Sequence, residues 1–93
     1  MVTLATAEKV LRDIARRNGE SIKKRRSKIL KEHFGIGYGV IDPNRNVLLS
    51  GGQTSDGCDF ALSDLAKWYE SDENNTTWQR TVINAALNES IAE

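Results

Sequence analysis

The apolar residues of this chain keep one spacing before Gly35 and a different one from Gly35 to Ile41. Leu4, Ala7, Val10, Leu11, Ile14 and Ala15 fall on one arc at about 100° per residue. Glu8, Arg12, Asp13 and Arg16 take the other side, so this is an amphipathic helix, with Thr3 or Thr6 available as its cap. In Gly35-Ile36-Gly37-Tyr38-Gly39-Val40-Ile41 the period drops to two: Ile36, Tyr38 and Val40 share a face, and the glycines leave the other face bare for a helix to pack closely. A chain that makes this switch within 93 residues must arrange helices and short strands around one modest core, which is the α+β class.

The rest of the chain fits that class. Asp42-Pro43-Asn44-Arg45-Asn46 is a turn, because Pro43 presets φ and the Asx side chains bond back to the backbone. Val47-Leu48-Leu49-Ser50 returns as the second strand of a hairpin, and Phe60-Ala61-Leu62 offers a short third strand. Ser63 can cap a helix from Asp64 to Glu70. Thr76 and Gln79 form a capping box for a last helix with Trp78, Val82, Ile83, Ala85 and Ala86 on one stripe. Both C-terminal helices are expected to pack on the sheet.

The N-terminal part leaves a choice open. Asn18-Gly19 is a helix stop, but residues 20–34 again read as helical, with Ile22, Arg26, Ile29, Leu30 and His33 as the best stripe. Counted from Leu4, Ile22, Ile29 and His33 return to within about 20° of the starting direction. Residues 3–33 therefore fit either one helix of about 45 Å, which would project from the domain, or a helix broken at Gly19.

Charge divides the single domain, residues 1–93, into two parts. Residues 1–34, the basic helical segment, carry ten Lys and Arg against four Asp and Glu, a net of +6; residues 35–93 carry three against nine, a net of −6. Such polarity concerns partners before it concerns fold. The densest basic run supplies Lys23, Lys24, Arg25, Arg26, Lys28 and, one turn on, Lys31 as candidate contacts to a partner or to nucleic acid. No aromatic residue interleaves with that run, and the pI of about 6.6 is not that of a nucleic-acid binder. Trp68, Tyr69 and Trp78 are either core or a protein-binding hot spot.

No motif commits the chain to catalysis. Gly35-x-Gly37-x-Gly39 follows a helix and precedes a turn, the reverse of a nucleotide-binding order. The run from Asp42 opens like a calcium loop but has Val47 where glycine is needed and Gln53 where glutamate is needed. Cys58 is the only cysteine and His33 the only histidine, too few for a zinc site; as a catalytic dyad they are outweighed by structural roles. Asp56, Asp59 and Asp64 are explained by loop solubility and capping as well as by a cation. No apolar run reaches signal-peptide or membrane-spanning length, and one cysteine allows no internal disulfide. The expectation is a cytoplasmic, non-enzymatic protein-interaction or regulatory module without cofactor or metal. It would self-associate through the N-terminal helix or meet an acidic partner. The alternative is a nucleic-acid-binding protein using residues 23–31.

Overall fold

A computed structural model describes residues 2–25, 32, 35–44, 47–50, 58 and 60–92, with 47–50 and 92 as backbone. Strand β1 (Val2–Thr3) leads into helix α1 (Leu4–Arg17), where the Thr3 hydroxyl oxygen accepts the Thr6 N–H at 3.2 Å. The buried side chains of α1 are Ala7, Val10, Leu11, Ile14 and Ala15, as its periodicity predicts.

Gly19 breaks the helix. It sits at φ +72°, and the chain closes behind it with Gly19 N–H to Arg16 C=O at 3.1 Å and Glu20 N–H to Ala15 C=O at 2.8 Å. These two bonds are the Schellman pair, which satisfies orphan carbonyls at the end of a helix and reverses the chain. The helical expectation for residues 20–34 fails at Ser21–Lys24, which is a strand, β2, and holds at Glu32, which is helical. Ile22 is partly buried against the core and Lys24 turns to Glu8 of α1, while Lys23 between them is exposed. That alternation suits a strand laid back along α1. Arg26, Ile29, Leu30 and His33 lie outside the described residues.

The central strand β3 (Tyr38–Asp42) pairs antiparallel with β2 on one side and with β4 (Val47–Ser50) on the other. The hairpin therefore forms as predicted, with its register shifted by an irregularity between Val40 and Ile41. The third strand is β2 rather than residues 60–62. Phe60 makes a single bridge to Tyr38, with mutual N–H to C=O bonds of 2.8 and 2.9 Å. Leu62 already opens helix α2 (Leu62–Tyr69), because the Asp64 carboxylate accepts the Ala61 N–H at 2.9 Å and caps one residue pair earlier than Ser63 would. Helix α3 (Thr77–Leu87) carries the predicted Thr76–Gln79 capping box, and strand β5 (Ile91–Ala92) pairs parallel with β1.

The core joins Leu11 and Ile14 of α1, Tyr38 and Val40 of β3, Leu65 of α2, and Val82 and Ile83 of α3. Ile36 does not follow Tyr38 and Val40 inward and is 44% exposed. A Cβ on Gly37 would overlap the Cys58 carbonyl oxygen and crowd the Arg25 guanidinium, so the missing side chain admits the chain at Cys58.

Candidate functional site

Two polar clasps fix α1 to its neighbours and set the exposed groups between them. On one flank the Glu8 carboxylate accepts from the Lys24 ammonium at 2.8 Å and from the Tyr38 hydroxyl at 2.6 Å. Burial pushes the Glu8 carboxyl up, but those two donors outweigh it and hold the group below its ordinary value. Burial, and then the adjoining carboxylate, raise the Tyr38 phenol. On the other flank Arg17 donates to the Asp72 carboxylate, to the Asn75 side-chain oxygen at 2.9 Å and to the Gln79 side-chain oxygen at 3.1 Å. Asn18 adds a bond to the same Asp72 oxygen at 3.0 Å, and Asn75 in turn donates to the Tyr69 carbonyl. The Arg17 guanidinium first, then Asn18 and the Asn74 N–H, bring the Asp72 carboxyl from 3.8 down to about 2. The loop joining α2 to α3 is thereby tied to the end of α1.

Two shallow clefts meet at Glu20, the residue that follows the helix reversal. One, of about 350 Å³, has Arg12 and Arg16 on its α1 wall and Ser21, Ile22 and Pro43 on the other. Arg12 and Arg16 are one turn apart and exposed, and neither side chain makes a salt bridge or hydrogen bond among the described residues. The other cleft, of about 390 Å³, runs from Asn18 and Asp72 to Ser71 and Trp68. The wall they share is built rather than floppy: the Glu20 carboxylate accepts the Tyr69 hydroxyl at 2.9 Å, and burial together with this bond raises the Tyr69 phenol. Trp68 is 42% exposed, its ring tilted against that of Phe60 with centroids 6.2 Å apart. The whole is a surface with two exposed cations at one end, a broad aromatic at the other and one engaged carboxylate between.

The residues singled out from sequence are dispersed. Lys23 is exposed on β2 and Lys24 is held by Glu8. Arg25 is 2% exposed and points inward, donating to the carbonyls of Cys58 at 2.8 Å and Gly35 at 3.3 Å. Arg26, Lys28 and Lys31 lie outside the described residues, as do His33, Asp56 and Asp59. Tyr69 is core at 3% exposed, Trp68 belongs to the surface just described, and Trp78 is 54% exposed at the start of α3. Cys58 is fully buried with its Sγ 3.9 Å from the Lys23 carbonyl. Among the described residues no group of three metal-ligating side chains occurs, and no helix is long and apolar enough to cross a membrane. Sequence reasoning missed Arg12, Arg16 and Glu20. The signal was present in the i, i+4 arginine pair on the polar flank of α1, but it needed the Gly19 reversal to place β2 beside that flank. No family model, no curated protein and no solved structure matches the chain.

Proposed function

We propose that this chain is a cytoplasmic, non-enzymatic protein-recognition module that docks an acidic segment of a partner on the surface centred at Glu20. The observation that carries the reading is the pair Arg12 and Arg16, exposed and unbonded among the described residues, with exposed Trp68 across Glu20. Arginine and tryptophan dominate protein hot spots, because each offers wide contact area together with directional donors or a polarised ring. A guanidinium binds a carboxylate with two parallel hydrogen bonds, so two guanidinium groups one turn apart suit two acidic side chains of one strand or helix. A second copy of the chain qualifies as partner, since residues 35–93 net −6. It would meet the polar flank of α1, whose apolar stripe already faces its own core.

Nucleic acid fits this surface less well. Lys24 and Arg25, which the basic run offered to a polyanion, are engaged internally, and Glu20 interrupts the cationic surface. A peptide-display selection on the intact chain tests the proposal. Enriched peptides should carry Asp or Glu beside an apolar residue and lose roughly tenfold in affinity against Arg12→Glu or Arg16→Glu. Selected peptides indifferent to both reversals would refute it. Retention of a DNA or RNA duplex with a steep salt dependence would replace it by the nucleic-acid reading. Sedimentation at increasing concentration reports whether a second copy is the partner.

A further inference from the structure

A third cavity, of about 240 Å³, shares no lining residue with the two clefts at Glu20. Leu4, Leu62, Ile91 and the half-exposed Ile36 give it an apolar part, and Tyr38, Ser63 and the exposed Glu89 are its residues with polar side chains. Glu89 is the one charged residue of the lining and has no hydrogen-bond or ion-pair partner for its side chain among the described residues.

The backbone under Glu89 makes that carboxylate notable. Helix α3 ends in the same two-bond closure as α1, with Glu89 N–H to Ala86 C=O at 3.2 Å and Ser90 N–H to Ala85 C=O at 2.8 Å. The residue at the turning point must take positive φ: α1 uses Gly19 there, whereas α3 uses Glu89 at φ 55°. A glutamate in this conformation is strained and a glycine is not. Strain kept where the low-strain solution is available points to the side chain as its cause.

We propose that this groove binds a small aliphatic primary amine, its chain against Leu4, Leu62 and Ile91 and its ammonium donating to the Glu89 carboxylate and the Ser63 hydroxyl. The volume sits below the usual range for drug-sized ligands, so the guest is a short chain. Its charge follows from Glu89. The start of α2 also opens on the groove and weakly favours an anion, but the Asp64 carboxylate already occupies the Ala61 N–H there.

The test is a titration of the full chain with hexylammonium, hexanol and hexanoate, followed by the backbone amide resonances of Ser63, Glu89 and Ile91. Hexylammonium should produce saturable shifts, hexanol should bind roughly tenfold more weakly, and hexanoate should leave the resonances unmoved. Glu89→Gly should raise the melting temperature by a few degrees yet reduce hexylammonium to the hexanol level, a pairing that a purely structural glutamate does not produce. Glu89→Gln keeps the side-chain size and should lose binding without that gain. Equal binding of hexanol or hexanoate, or wild-type affinity in Glu89→Gln, overturns the proposal. Tighter binding of Nα-acetyl-lysine N-methylamide than of hexylammonium overturns the small-ligand assignment in favour of a protein lysine.

Discussion

Replacing Glu8 by Gln isolates the clasp that holds β2 and β3 against α1. The carboxylate accepts a bond from the Lys24 ammonium at 2.8 Å and one from the Tyr38 hydroxyl at 2.6 Å. A hydrogen bond to a charged group contributes about 1.5–3 kcal/mol. The Lys24 side chain keeps 32% of its exposure, so solvent screens that bond toward about 1 kcal/mol or less. The Tyr38 bond is partly buried, and an amide oxygen still accepts it, though without the charge. The expected loss at pH 7 is about 2 kcal/mol, on the order of 10 °C in melting temperature for a domain of this size. Its pH dependence is the sharper check. The native carboxyl lies below its ordinary value of 4.5, so the unfolded chain takes up the proton first. The stabilisation is therefore complete above that value and disappears as the pH falls through the lower native one. Urea unfolding of wild type and Glu8→Gln should differ at pH 7 and converge in acid, where a protonated glutamate resembles glutamine. The contribution of Asp72 is common to both chains and cancels from the difference. An equal gap at both pH values would show that the clasp acts by shape and not by charge.

Asp72→Asn removes the acceptor of Arg17 and Asn18, and the native carboxyl is brought down to about 2. The wild type should lose a stabilising increment as the pH falls from the ordinary 3.8 through about 2, and the variant's acid-unfolding curve should lack that leg. The two glycines that bound the strand region should behave differently. Gly19→Ala meets open space and bears only the cost of positive φ, about 1 kcal/mol by chemical denaturation. Gly37→Ala drives a methyl group into the Cys58 carbonyl and should cost more than about 3 kcal/mol or prevent folding, as expression yield and circular dichroism will report.

Most of the element order was legible because local rules suffice for it. The arc of α1, the Asp42–Pro43 turn and the Thr76–Gln79 box each depend on residues within a few positions of one another, whereas the break at Gly19 was one of two open alternatives. Strand β2 was not legible, because Ser-Ile-Lys-Lys has no strong strand propensity of its own. It is extended because the reversal at Gly19 lays it beside α1, where Glu8 captures Lys24 and β3 supplies a ladder. The candidate surface was hidden for the same reason. Arg12 and Glu20 are eight positions apart in a sequence scan, and only the returning strand makes them walls of one cleft.

The charge division then takes a different meaning. Seen as composition, the basic residues of 1–34 are interchangeable members of a positive segment. In the fold they are not, because three are consumed in holding it: Arg17 by Asp72, Lys24 by Glu8 and Arg25 by the carbonyls of Gly35 and Cys58. The dense run from Lys23 is thus partly architectural, and the cations left to recognise a partner include a sparser pair on α1. Neutralising Lys24 or Arg25 should therefore lower stability before it lowers affinity. Neutralising Arg12 or Arg16 should lower affinity for an acidic peptide with little change in melting temperature. Measuring both quantities on the same four variants separates the positive charge that builds this domain from the charge it presents.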